Sequence, residues 1–200
     1  NAPHPLGVGV QHGWHPIGEP MMVTRAEGNV VHELDGQPAV EVYLRNRGSD
    51  PRLTTLRGGE VQHFSAATLD HPLGLANASG RFDVRHVLDR TADGGLVLFG
   101  HVSEQSIVQV MAGNSDELID AAAGAARDAL DQLDTPCRGA LVFSCTGRVA
   151  PLGERVADEV TAVAGELVGN AVAGFFTYGE FARVTGSTGF HNATVVVLAV

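Results

Sequence analysis

Two strongly apolar runs, Ala140-Leu141-Val142-Phe143 and Ala193-Thr194-Val195-Val196-Val197-Leu198-Ala199-Val200, decide the fold of this chain. Both runs are short and rich in β-branched and aromatic residues, which is typical of strands that are covered on both faces. Polar residues collect at the ends of these runs, where side chains from separate segments can meet on one ligand. We therefore expect a sheet whose strand ends carry the functional site.

The segments around these runs predict two further helices and one more strand. A helix capped by Ser115 is expected to end before Pro136, and a second helix begins near Pro151 and stops at Gly169. A strand over residues 172–178 follows the second helix. The apolar periodicity of both helices predicts that they pack on the sheet with one face.

The first half of the chain reads mostly as strands. A hairpin is predicted around residues 27–29, followed by a helix from residue 38 to residue 48. Residues 49–80 are predicted to be a loop, and three strands between residues 82 and 111 are predicted to form an antiparallel meander. This order lacks a regular βαβ alternation. It predicts an α+β fold with a mixed, largely antiparallel sheet and helices packed on it.

Charge and hydropathy restrict the classes of partner. The net charge at pH 7 is −10, and all 13 cationic residues are arginine, so the chain lacks the positive surface that nucleic acid or anionic lipid requires. No apolar run approaches the roughly 20 residues that cross a bilayer, so we expect no membrane insertion. The first residue is Asn, which suggests a piece of a longer protein. The absence of lysine, with abundant Ala, Gly and Val, suggests a GC-rich bacterial genome.

The two cysteines, Cys137 and Cys145, are predicted to remain free thiols. If the residues between them form one strand, their Cα atoms lie roughly 26 Å apart, whereas a disulfide needs about 7 Å or less. Free cysteines fit a reducing compartment. The sequence therefore predicts a cytoplasmic protein.

Three polar stretches carry the most specific pattern in the chain. They are Phe143-Ser144-Cys145-Thr146-Gly147-Arg148, Gly174-Phe175-Phe176-Thr177-Tyr178-Gly179-Glu180, and His191-Asn192-Ala193-Thr194. In this order they resemble the C-terminal domain of the FIST family, the F-box and intracellular signal transduction proteins. The resemblance covers residues 37–200, and residues 1–36 look like the end of the family's N-terminal domain and the junction.

The resemblance implies a cytoplasmic ligand-sensing domain of a signal transduction protein, with an output domain or protein as its partner, and not a known catalyst. We expect the ligand to be an amino acid or similar zwitterion. Arg148 would bind its carboxylate and Glu180 its ammonium group. Tyr178 lies two residues before Glu180, so in a strand both would face one side. The expected ligand-binding residues are Cys145, Arg148, Thr177, Tyr178, Glu180, His191, Asn192 and Thr194.

Each of these residues also has a structural interpretation. Cys145 is the type of residue that often packs as a small hydrophobe, and Glu180 is also suited to pair with Arg148 or Arg183. His191 and Asn192 suit a turn. From spacing alone, these interpretations stay open.

Two other functions compete with the sensor, so the sequence leaves open whether the protein is an enzyme, while favouring binding over turnover. A hydrolase or transferase would use Cys145 as nucleophile and His191 as base, although Phe143 stands where a nucleophile elbow has glycine. A protein-interaction module would use the same polar residues only to hold the sheet. The nine histidines lack the spacing of a zinc site, and without lysine no P-loop is complete. We therefore expect neither metal nor cofactor.

Overall fold

The computed structural model describes residues 6–48, 64, 67–78, 80–183 and 189–200. The chain forms two compact units, one made of Asn1–Trp14 with Gly113–Val200 and the other of His15–Ala112. The α+β class predicted from the sequence is confirmed. None of the helices in the described ranges has the length and apolar character that crossing a membrane requires.

The unit formed by residues 15–112 is a sheet that, among the described elements with stated bounds, carries helix α1 (Ala39–Arg47). Its strands run in the spatial order β6-β5-β9-β2-β3-β8-β7, with β4 paired to β3. They are β2 (His15–Glu27), β3 (Val30–Leu34), β4 (Gln37–Pro38), β5 (Leu73–Ala76), β6 (Phe82–Arg85), β7 (Val87–Arg90), β8 (Leu96–Leu98) and β9 (Ile107–Ala112).

Two predictions for this unit were wrong. The expected meander is broken, because β8 pairs with β7 and β3, whereas β9 pairs with β5 and β2. The segment predicted as a loop contains strand β5, whose pattern of Leu and Gly gives little strand signal. Residues 49–63, 65, 66 and 79 of that segment lie outside the described residues.

The other unit carries the predicted functional stretches. Its main sheet has the order β1-β14-β10-β11, in which β10 and β11 are parallel and β14 is antiparallel to both of its neighbours. The strands are β1 (Gly7–Gln11), β10 (Gly139–Cys145), β11 (Ala171–Thr177) and β14 (Val195–Ala199), and a separate ribbon is formed by β12 (Glu180–Phe181) and β13 (Phe190–His191). The helices are α2 (Ser115–Leu130), α3 (Val149–Leu152) and α4 (Val156–Glu166).

Helix α2 packs its alanine-rich face on this sheet. Its buried alanines share one core with Val163 of α4 and with the inward valines of β14. The sequence predicted Ser115 as the cap, but the cap is Asn114, whose side chain accepts a hydrogen bond from the Glu117 backbone while the Glu117 side chain accepts one from Asn114. This reciprocal capping box satisfies two backbone N–H groups at the start of the helix.

Glycines allow strand β1 to lie directly against α2. A Cβ atom added at Gly7 would lie 1.8 Å from the Ala129 carbonyl oxygen, and one at Gly9 would lie 1.8 Å from that of Ala125. Both obstacles are helix backbone, which cannot rotate away. The close approach of β1 to α2 therefore depends on the missing side chains.

We predict that Gly9→Ala lowers the free energy of unfolding by about 3 kcal/mol, because β1 must move away from α2. The matched control is Gly165→Ala in helix α4, where an added Cβ meets no atom within 4 Å. That change should raise stability by about 0.5–1 kcal/mol, since alanine is the better helix former. Urea denaturation of the two variants measures both effects, and equal stabilities would contradict this packing.

Candidate ligand-binding site

The ends of three chain segments meet at one edge of the β1-β14-β10-β11 sheet. Cys145 at the end of β10 lies beside Thr177 at the end of β11 in parallel register. The Cys145 backbone N–H donates to the Thr194 carbonyl at 2.9 Å. Glu180 pairs with His191 in the two-stranded ribbon. The three polar stretches that the sequence singled out are therefore neighbours in space.

The carboxyl group of Glu180 is the centre of this cluster. The residue is only 2% exposed. Thr194 Oγ1 lies 2.9 Å from Glu180 Oε2, and the Thr177 hydroxyl contacts Oε1. The Cys145 thiol and the Thr194 backbone N–H also hydrogen-bond to this carboxyl. The group is thus held by hydroxyl, thiol and amide donors.

Burial raises the pKa of Glu180 above its usual value of 4.5, although these donors act in the opposite direction. Within the described residues, no cation lies within ion-pair distance of this carboxyl. Hydrogen bonds from neutral groups do not cancel its charge, so removing the carboxylate from water favours the protonated form. Glu180 is therefore a buried acid whose charge lacks a counter-ion in this part of the structure.

The environment of Cys145 disfavours a nucleophilic role. Burial, and the nearby Glu180 charge, raise the pKa of the thiol to about 11. At neutral pH only about one molecule in ten thousand then carries the reactive thiolate. His191 Nε2 lies 2.8 Å from the Ala182 carbonyl oxygen, which only accepts, so that nitrogen holds a proton and does not act as a base.

The turn before β14 positions the remaining polar groups. Ala193 has a φ of 57°, a left-handed conformation that is unusual for a residue with a Cβ. Its carbonyl accepts a hydrogen bond from the Trp14 indole at 3.0 Å, and its N–H bonds the Cys145 sulfur. Asn192 Nδ2 lies 3.5 Å from the same sulfur. No pattern in the sequence indicates this role of Ala193.

Arg148 is fully buried and already engaged by the protein. Its Nε lies 2.7 Å and its Nη2 2.6 Å from Glu159 Oε1. Nη1 donates to the His12 carbonyl at 2.7 Å, and Nη2 donates to the Leu118 carbonyl at 2.8 Å. All three guanidinium nitrogens thus donate a hydrogen bond within the protein. Arg148 ties the 3₁₀ turn after β10 to α2, to α4 and to the segment that follows β1.

Tyr178 and Glu180 do not face one side as the alternation rule predicted. Tyr178 is 77% exposed, whereas Glu180 is buried. The reason is that β11 ends at Thr177 and β12 begins at Glu180, so Tyr178 lies in the bend between two strands. The structure brings Cys145, Thr177, Glu180, Asn192 and Thr194 together, with His191 alongside, and leaves Tyr178 at the surface.

Sequence reasoning missed Ser144 and Glu159. Ser144 donates to Glu159 Oε2 at 2.7 Å, and Glu159 is 2% exposed. Glu159 is an acidic residue in a helix that reads as amphipathic, so its sequence pattern is that of a solvated position. The available signal against that interpretation was its spacing, because Glu159 lies three residues after Val156 and four before Val163 on one face of α4.

Comparison with known proteins identifies the family of the chain. Residues 39–183 match the model of the FIST C domain, and residues 1–37 match that of the FIST N domain. An uncharacterized protein of Mycobacterium tuberculosis, Rv0628c, is 30% identical over 195 residues, which is 92% of this chain and 48% of that protein. Mb0898c of Mycobacterium bovis is 31% identical over 199 residues, again 92% and 48%. No solved structure matches the chain.

A more distant relative is an uncharacterized protein of Methanocaldococcus jannaschii, MJ1623. It is 32% identical over 104 residues, 50% of this chain and 20% of that protein. The chain spans about half the length of the mycobacterial relatives it matches. The family model matches residues 39–183, which is more than half of the chain, so the match defines the class of domain. The chain belongs to the FIST family, whose domains are associated with sensory roles in signal transduction.

We predict that Arg148→Met lowers the free energy of unfolding by about 3–5 kcal/mol, because it leaves Glu159 charged and buried without its partner. The double variant Arg148→Met/Glu159→Leu should recover most of this loss, since both buried charges are then gone. Chemical denaturation of the two single variants and the double variant measures the coupling. Exposed ion pairs contribute about 1 kcal/mol or less. A loss of stability below that value in Arg148→Met would contradict a stabilising role for the buried Arg148–Glu159 pair.

Proposed function

We propose that this chain is a cytoplasmic small-molecule sensory domain of a signal transduction protein, and that its ligand is an amino acid or a similar zwitterion. Residues 1–36 would be the end of an N-terminal FIST domain, and residues 37–200 the FIST C-terminal domain. The observation that carries the proposal is the buried Glu180 carboxyl, which is held by neutral donors and has no cation beside it among the described residues.

A ligand ammonium group would supply the missing charge. A buried carboxylate gains little from its neutral neighbours, whereas an ammonium in contact with it forms a charge-assisted hydrogen bond worth about 1.5–3 kcal/mol. Thr177, Thr194 and Cys145 would hold the carboxyl in place for this contact. Binding would then keep Glu180 ionised. Because the pKa of Glu180 is raised in the free protein, the affinity for the ligand should increase as the pH rises through that pKa.

The buried Arg148 holds Glu159 and two backbone carbonyls, so it is not the partner of the ligand carboxylate. We assign that carboxylate to the His191-Asn192 stretch, which joins the ribbon to β14 and whose side chains would exchange a contact within the protein for the ligand. Arg148 contributes by fixing the turn after β10. Tyr178 would lie at the outer edge, where its exposed ring can cover a bound ligand.

Sensing would work by binding and not by turnover. The ligand would contact residues from β10, β12 and the turn before β14, which are far apart in the chain. A ligand that contacts all three stabilises the one arrangement in which they converge, and shifts the population toward it. A signalling output domain or protein would respond to that shift.

A thermal-shift screen over the common amino acids tests the proposal. A ligand at about 100 times its dissociation constant should add roughly 2.7 kcal/mol of stability. Glu180→Gln should abolish this gain, because a neutral amide cannot pair with the ammonium group. Glu154→Gln is the matched control, since Glu154 is exposed and the charge change is the same.

Two outcomes of the thermal-shift screen would contradict the proposed contact. A response that is flat across all amino acids, or one that survives unchanged in Glu180→Gln, would rule out an ammonium contact with Glu180. A response to simple amines that equals the response to amino acids would retain Glu180 as the contact and exclude a role for the ligand carboxylate.

A further inference from the structure

A cavity lies on the face of β10 and β11 opposite to Cys145. Its volume is about 150 Å³. The sheet side is formed by Val172 and Phe176, and the helix side by Val160 and Val163 of α4. Ser144 and Glu159 form its polar end. Ser144 and Cys145 are consecutive in a strand, so they face opposite sides of the sheet, and this cavity is separate from the Glu180 cluster.

The polar end of the cavity offers acceptors and no donor among the described lining residues. Ser144 has one hydroxyl proton, which it donates to Glu159 Oε2 at 2.7 Å. The lone pairs that remain are on Ser144 Oγ and on Glu159 Oε2. A molecule that fills the cavity must therefore donate a hydrogen bond at this end.

The same end has no net charge to attract a cation. Glu159 pairs with Arg148, whose Nη2 lies 2.6 Å from Oε1, and both residues are buried. A cationic ligand would be removed from water without an unpaired anion to meet it. The complementary group is a neutral donor, of which a hydroxyl is the smallest and fits the limited space.

Size and shape limit the rest of the ligand. A cavity of about 150 Å³ with apolar walls is large enough for benzene. Val160 and Phe176 at the cavity wall are 57% and 43% exposed, which leaves a route to solvent. Val163, in contrast, is 1% exposed and closes the inner side.

From these observations we infer that this cavity is a second ligand site, which binds a compact, uncharged, apolar alcohol or phenol with its hydroxyl on Ser144 and Glu159. The inference is independent of the Glu180 proposal, because the two sites lie on opposite faces of β10. It adds an apolar ligand class to the zwitterion proposed above.

Calorimetry and ligand-observed NMR with phenol and toluene test this site. Phenol should bind with a dissociation constant on the order of 1 mM or tighter, as its seven heavy atoms allow. Toluene has the same shape without the donor and should bind about tenfold more weakly. Val160→Trp, which fills the cavity wall, should abolish phenol binding.

The control is Val168→Trp, because Val168 is 80% exposed and does not line the cavity. That variant should bind phenol as the parent does. Equal affinity for phenol and toluene would overturn the role of Ser144 and Glu159. Phenol binding that persists in Val160→Trp, or that is absent in the parent protein, would overturn the site itself.

Discussion

A buried carboxyl group with neutral partners is the constraint on which the candidate site depends. Glu180 is removed from water where three chain segments end, and its contacts within the described residues are hydroxyl, thiol and amide groups. Because its pKa is raised, the folded state keeps its proton at pH values where the unfolded chain has released it. The contribution of Glu180 to stability is therefore present below pH 4.5 and is lost as the pH rises through the folded pKa.

The last two residues of β10, Ser144 and Cys145, each contact a buried glutamate, and the two glutamates are stabilised in opposite ways. Ser144 faces Glu159, which is neutralised by Arg148 and helps to join α4 to the turn after β10. Cys145 faces Glu180, for which the described residues supply donors but no counter-charge. An acid that already has its cation serves the fold, whereas one without it can gain from a ligand. This contrast is the reason for proposing a zwitterion at Glu180 and a neutral alcohol beside Ser144.

Local sequence patterns predicted most of the helices and strands. The predictions that were wrong or missing concern contacts between segments that are distant in the chain. The apolar runs identified β10 and β14, and the apolar periodicity identified α2 and α4. Strand partners were not predictable in the same way, since β9 pairs with β5 and β2 through contacts between distant segments. The meeting of Cys145, Glu180 and Thr194 followed from their positions at strand ends. The Arg148–Glu159 pair did not, because it depends on how α4 packs against the sheet.

Direct titration of the Glu180 carboxyl tests the central claim. Glutamate labelled with ¹³C at the side-chain carboxyl gives a resonance for each residue, and the one missing in Glu180→Gln identifies Glu180. We expect its midpoint to lie above 4.5 in the ligand-free protein, because burial without a counter-ion favours the neutral acid. A midpoint at or below 4.5 would mean that the charge is already compensated, and would remove the basis for an ammonium-bearing ligand.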